Sequence, residues 1–437
     1  DEIVNLAKDA GMRSIVFTSK HHDGFCMYHS RHTDFNIVDA TPYKRDLMKE
    51  LAEACRRGGI DFSVYYSLID WNFPQAYPIS SHNADPLTEE HYRFNLNQVE
   101  EIMTNYGDIS EIWFDMGSLT LSQSQGLYEL VSRLQPQCMI SGRLGNDWVD
   151  FAVMADNEYP DYKLGVPWQT AASIFPETWG YRSWQERGEV QPKVEEKIAS
   201  LVKVISRGGN YLLNIGPRGD GSVVEFERDV LLGIGKWIKV NAEAIYGTNA
   251  NPFDQPFAWG SITTKGNDLF AFVENIPVSS SIRLSGFSGK VSEVRLLASD
   301  ESCRFSQKGN SVVINLPQRI SGEFITVLKI RFENGFKAVP STVVTGNVLS
   351  PQNATPVFGH SSLNYYGGYK SLIGYGWRVS SGKRAGSPEL VYTDNERGRR
   401  LHIEIDGKTQ AVVLNGGSPR IEKLKKNTVK WDSLYRQ

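Results

Sequence analysis

The sequence predicts an α/β protein: an irregular (β/α)8-like TIM barrel, then a C-terminal β-sandwich, then a further β-rich module. Three observations carry this reading. Apolar strand-like runs alternate with helical stripes from the first residues to about 248. Polar and aromatic residues recur directly after those runs, and a barrel gathers the C-terminal ends of its strands on one face. From Asn249 onward the period changes to short alternating segments such as 269–273 and 312–316, separated by Gly, Ser and Asn. The expected boundaries are 1–248 for the barrel, 249–332 for the sandwich and 333–437 for the last module. A chain of 437 residues exceeds what one core usually organises, in keeping with two or three domains.

The elements follow in order. Ile3, Leu6, Ala7 and Ala10 keep helical spacing, and Gly11 ends that helix. The run 14–18 reads as a buried strand leading into Lys20-His21-His22-Asp23-Gly24-Phe25. Leu47, Leu51 and Cys55 share one face of a helix closed by Gly58-Gly59. A second strand, 62–67, runs into Asp70-Trp71, and a long helix covers roughly 88–106. The third strand, 111–115, carries Ile112-Trp113-Phe114 into a core and stops on Asp115, just before Gly117. A helix near 123–134 precedes a strand over 139–143 with a polar exit at Arg143. A helix near 194–205, a strand at 210–217 and a helix striped by Phe226, Val230, Ile234 and Trp237 complete the barrel portion. In the last module, 400–405 reads as a strand, and its charge clusters read as solvated faces.

Composition narrows the function. A net charge of -3 gives no basic footprint, so nucleic acid is not an expected partner. No apolar run reaches the length that spans a bilayer. Cys26, Cys55, Cys138 and Cys303 show neither CxxC spacing nor a disulfide framework, and they read as core thiols. The residues from Asp1 read as an amphipathic helix and not as a signal peptide. With 10 Trp, 19 Tyr and 20 Phe, the chain has the aromatic surface that stacks on sugar rings, though large cores use it too.

Collected at one barrel face, the strand ends bring His21, His22, Asp23, Tyr65, Tyr66, Asp70, Trp71, Trp113, Asp115, Arg143 and Asn214 together. A carboxylate ringed by His, Tyr and Trp suits a polyhydroxylated ligand, whose hydroxyls need donors and acceptors and whose apolar face needs an aromatic wall. The histidines could instead bind metal, but adjacent strand residues face opposite ways, and no further ligands keep the spacing of a metal site. No metal is therefore expected. Retaining glycoside hydrolysis needs two carboxyls, a nucleophile and a proton donor, about 5–5.5 Å apart. Asp115 supplies the first, with Arg143 to keep it ionised. The donor candidates lie in 156–161, and spacing alone does not choose among them.

His21-His22-Asp23-Gly24-Phe25, Tyr65-Tyr66-Ser67…Asp70-Trp71, Trp113-Phe114-Asp115, Trp179-Gly180-Tyr181 and the run 208–217 resemble the α-L-fucosidases of glycoside hydrolase family 29, in that family's order. The resemblance is strong over about 1–247 and looser over the sandwich. It implies cofactor-free, retaining release of terminal α-L-fucose from a fucosylated glycan, and from that substrate class an extracytoplasmic location. Residue by residue, it matches Asp115 to the nucleophile, and His21 and His22 to the pair that binds sugar hydroxyls. It matches Trp113 and Tyr65 or Tyr66 to pocket residues, and Arg143 to the arginine beside the nucleophile. The acid/base is the family's least fixed position. Some members carry it in a Glu-Tyr pair like Glu158-Tyr159, and others in a Glu after Trp, where this chain has Gln169. Glu158 is therefore the expected donor, with Asp156 and Asp161 as competitors.

The family's first barrel strand, ending His-Trp-Gly, has no counterpart in these residues and is expected upstream of Asp1. That departure and Gln169 motivate a second reading, a fucose-binding protein without turnover. The presence of both Asp115 and Glu158 opposes it.

Overall fold

The structure is a computed structural model. It describes residues 1–339 except 79–84, 147, 161–162, 164–166, 254–256, 318–319 and 321–323. Beyond 339 it describes 349, 355–358, 372–377, 389–391, 398, 400–405, 408–414, 421–423 and 434–435.

Local chemistry sets the helix starts in the first half. Asp46 caps α2 (Leu47–Gly58) by accepting from the Lys49 N–H, and Thr88 caps α3 (Glu89–Asn105) through the His91 N–H. Thr120 and Gln123 form a reciprocal capping box on α4 (Leu121–Leu134). Gly59 ends α2 in the left-handed region at φ 65°. Before them comes α1 (Glu2–Asp9); after them come α5 (Val190–Ser206) and α6 (Glu225–Asn241).

Between the helices lie parallel strands paired in chain order: β1 (Ser14–Lys20), β2 (Asp61–Ser67), β3 (Glu111–Asp115) and β4 (Met139–Ile140). A parallel bridge from Ser141 to Phe151 joins these to β5 (Ala152–Val153), β6 (Trp168–Ser173) and β7 (Gly209–Asn214). Alternation divides their side chains between two cores. Val16, Tyr65, Trp113, Phe151, Val153, Ala171 and Leu212 pack together inside the curved sheet. Val64, Tyr66, Ile112, Phe114 and Ile140 pack outward among residues of the helices. This is the layering of a β/α barrel. Among the described residues no pairing joins β7 to β1. There α1 packs on α6 so closely that a Cβ on Gly235 would lie 2.0 Å from the Asp9 carbonyl oxygen.

The strand expected over 139–143 is shorter than its apolar pattern suggested. Its ladder with β3 ends at Ile140, only the single bridge at Ser141 follows, and Gly142–Leu144 is a 3-10 turn that aims Arg143 at the end of β3. β5 and β6 carry no long apolar run, which is why the alternation is hard to follow in that part of the sequence.

The antiparallel region contains a four-stranded sheet, in the order β12 (Val291–Leu296), β15 (Thr326–Phe332), β9 (Asp268–Val273) and β8 (Gly260–Lys265). It faces a three-stranded sheet of β10 (Ser281–Ser285), β14 (Ser311–Asn315) and β13 (Phe305–Lys308) across a shared apolar core. A short pair, β11 (Phe287–Ser288) with β16 (Lys337–Ala338), carries the pairing beyond 332. Phe270, Phe272, Ile325 and Val327 turn the other way and pack with Val202 of α5 and Val230, Ile234 and Ile238 of α6, binding the sandwich to the barrel. Further on, antiparallel pairs join β17 (Thr355–Phe358) to β18 (Leu372–Gly376), β19 (Glu389–Val391) to β22 (Ile421–Lys423), and β20 (Arg400–Ile405) to β21 (Lys408–Val413) and β23 (Leu434–Tyr435). Among the described residues no helix is long and apolar enough to cross a membrane.

Candidate active site

On β3 the even positions Ile112 and Phe114 are fully buried in the outer core, so Glu111, Trp113 and Asp115 face the lumen. Met116 at φ 61° and Gly117 at φ 86° then turn the chain sharply, leaving Asp115 as the last lumen residue of the strand. A non-glycine residue in the left-handed region carries strain that surrounding contacts must hold, as often happens beside functional groups.

Asp115 is held from two sides. Arg143 Nη1 donates to Oδ1 at 2.8 Å, and the Tyr65 hydroxyl donates to Oδ2 at 2.6 Å. The same guanidinium donates through Nη2 to Asp156 Oδ1 at 2.5 Å and to the Met154 carbonyl at 3.2 Å. Burial works against the Arg143 charge, but Asp115 and Asp156 more than offset it and raise its pKa. The guanidinium lies 4.6 Å above the Trp113 ring. Trp113 stacks on Tyr65, and Tyr65 on His21, each with ring centroids 5.6 Å apart. His21, Tyr65 and Trp113 thus form a continuous wall beside the carboxylate.

The two histidines follow a register shift in β1 between Thr18 and Lys20, which turns Lys20 to the outer side. Gly24 folds their loop back at φ 84°, where a Cβ would sit 2.1 Å from Asp70 Oδ1. The Trp71 N–H also donates to the His22 carbonyl at 2.8 Å. Ser67 Oγ donates its proton to the Ile69 carbonyl, so the 2.8 Å contact between Oγ and His22 Nδ1 requires a proton on Nδ1. That tautomer leaves His22 Nε2 as an acceptor. Burial, with His21 beside it, lowers the His22 pKa to about 4, and loss of hydration lowers that of His21 as well. Neutral imidazoles can both donate to and accept from sugar hydroxyls.

Tyr66 corrects the expectation from the sequence. It faces outward and is fully buried, with its hydroxyl 2.8 Å from Asn95 Oδ1 and from Gln98 Oε1, and it accepts from Lys20 Nζ at 3.0 Å. Successive strand residues face opposite ways, so Tyr65 and Tyr66 cannot both line the lumen.

Glu158 lies exposed on the loop after β5. That loop is stitched to β6: Asn157 Oδ1 accepts from the Ser173 N–H at 2.8 Å, and the Asn157 N–H donates to the Ala171 carbonyl at 2.9 Å. Thr170 Oγ1 donates to the Glu158 carbonyl. Asp156, on the same loop, is committed to Arg143, and Asp161 lies outside the described residues. Gln169 sits inside the lumen under Trp113, so its position is not that of a carboxyl at the rim.

Sequence reasoning passed over Ser67, Asn157 and Glu111 as site residues. Strand parity signals the first, since Ser67 shares a face with Tyr65. Parity signals Glu111 too, since it shares a face with Trp113 and Asp115, whereas Asn157 shows no signal in a single sequence, because its partners lie on β6.

A carboxylate gripped by an arginine and a tyrosine at the end of a barrel strand, beside a wall of aromatic rings and neutral histidines, has a form that suits a glycoside hydrolase. The family model described as Alpha-L-fucosidase matches residues 1–243. Plasma alpha-L-fucosidase of Rattus norvegicus is 29% identical over 342 residues, covering 72% of each chain. Among solved structures, alpha-L-fucosidase isoenzyme 1 from Paenibacillus thiaminolyticus superposes with a TM-score of 0.69 at 30% identity, over 76% of this chain and 86% of that one. An alpha-L-fucosidase of Bacteroides thetaiotaomicron, solved as a trapped covalent intermediate, gives 0.68 at 25% identity, over 76% of this chain and 81% of the other. The chain belongs to the α-L-fucosidase family.

Proposed function

We propose that the chain hydrolyses terminal α-L-fucosides with retention of anomeric configuration, using Asp115 as nucleophile and Glu158 as general acid and base. The observation that carries this reading is the double grip on Asp115. Arg143 and Tyr65 fix both carboxylate oxygens, so the attacking group is oriented before substrate arrives. Attack on the anomeric carbon forms a fucosyl ester on Asp115 while Glu158 protonates the departing oxygen. Glu158 then takes a proton from water, which opens the ester and restores Asp115. His21 and His22 read hydroxyls as neutral rings, and Trp113 with Tyr65 forms the pocket wall.

Fucosylated glycans lie outside the cytoplasm or are imported, which supports an extracytoplasmic location. The second reading, sugar binding without turnover, loses one of its motives because Gln169 occupies an interior place below the rim. Azide rescue with an aryl α-L-fucoside tests the two roles separately. Asp115→Gly with azide should yield the β-fucosyl azide, because azide replaces the nucleophile on its own face. Glu158→Ala should yield the α-fucosyl azide, because the ester still forms. Rescue of neither variant would remove these assignments.

A further inference from the structure

Beneath Asp115 the lumen holds a polar chain that the proposed chemistry does not use. The Trp113 indole N–H donates to Gln169 Oε1 at 2.8 Å. Gln169, 8% exposed, donates through Nε2 to the Glu111 oxygens at 3.3 and 3.2 Å. Chemistry fixes the direction of this chain. An indole N–H can only donate, so the amide must present its oxygen to Trp113 and its NH2 to a carboxyl that accepts. The same indole has the Arg143 guanidinium 4.6 Å from its ring and stacks on Tyr65, and these two side chains grip Asp115.

We propose that Glu111 and Gln169 are positioning residues: they fix the Trp113 indole as the platform from which Arg143 and Tyr65 hold the reacting carboxylate. The inference rests on Asp115 being that carboxylate. It accounts for an amide at position 169. A carboxyl there would meet Glu111 across the distance now spanned by a hydrogen bond, and two carboxylates that close repel unless they share a proton. Glu111 and Gln169 are thus a matched pair, one carboxyl and one amide, and the match survives exchange. Gln at 111 can donate to Glu at 169, which can still accept from Trp113.

The test uses the full chain with Gln169→Glu, the exchanged double variant Glu111→Gln/Gln169→Glu, and Gln169→Leu. Turnover of an aryl α-L-fucoside at pH 7 should fall on the order of tenfold to a hundredfold in kcat for Gln169→Glu and Gln169→Leu, with KM little changed, as misplacement of a catalytic group does. The double variant should recover most of that loss, because the exchange restores both hydrogen bonds. Solvent exchange of the Trp113 indole N–H, assigned by its disappearance in Trp113→Phe, gives a reading independent of turnover. It should be slow in the parent chain and the double variant, and fast in Gln169→Leu. Unchanged exchange in Gln169→Leu, or a double variant no better than Gln169→Glu, would overturn the proposal. A parent chain without turnover would instead remove the functional reading, and the exchange rates would still decide the relay.

Discussion

Tyr65 and Tyr66 show how one residue step separates chemistry from packing. Tyr65→Phe removes a donor from Asp115 Oδ2 and should lower kcat while leaving the melting temperature nearly unchanged. Tyr66→Phe takes one hydrogen-bond partner each from Asn95, Gln98 and Lys20 in the outer core, and should cost about 1–3 kcal/mol in chemical denaturation with a smaller effect on kcat. The strand end alone does not single out Asp115, because an acid before glycine ordinarily caps a turn or helix; the motifs around it do. The sequence does not separate the tyrosines, since a parallel strand is buried on both faces and an aromatic pair has no polar partner to mark its parity. Buried histidines give a prediction of sign. His91 stacks on Phe73, its Nε2 has no hydrogen-bond partner among the described residues, and burial lowers its pKa to about 4. An unfolded His titrates near 6.5. As pH falls from 6.5 toward 4, the unfolded chain therefore takes up a proton that the native one refuses, and stability is lost over that window. For His91 the loss should reach about 3 kcal/mol. His91→Phe should lose less, so urea denaturation of the two proteins at pH 7 and pH 4.5 should show the variant gaining on the parent in acid.

At the scale of elements, the loop after β1 is the most constrained part of the site. Gly24 closes against Asp70, which also pairs with the buried Lys20 at 3.6 Å, while Ser67 and Trp71 hold His22. Gly24→Ala adds a methyl group where there is no room, at a φ that disfavours it. It should displace both histidines and raise KM for the fucoside, or inhibition by free fucose should weaken in parallel. The strands and helices that build the lumen were mostly legible, since their apolar periods are long and their caps explicit. The stretch from 139 to 173 was not. Its strands are as short as two residues, their pairing comes from neighbours distant in sequence, and Arg143 reaches Asp115 from a 3-10 turn.

Over the whole molecule, the barrel and the sandwich share a core. Phe272, on β9, is fully buried against the last two barrel helices, so Phe272→Ala should cost about 3–5 kcal/mol. Because those helices back the β7 end of the sheet, the variant should unfold barrel and sandwich together, in one calorimetric transition at lower temperature. The change from helical to alternating period near 249 was clear in the sequence. The shared core was not, because Phe270 and Phe272 look like any inward residues of a sandwich, and only the packing shows that they turn toward the barrel.

The most direct measurement is release of the aryl group from a chromogenic α-L-fucoside by the parent chain and by Asp115→Ala. The parent should turn over, and the variant should lose nearly all kcat while still binding fucose in a calorimeter. Equal turnover by both proteins, or fucose binding by both with turnover by neither, would contradict the assignment of Asp115 as the nucleophile of a hydrolase.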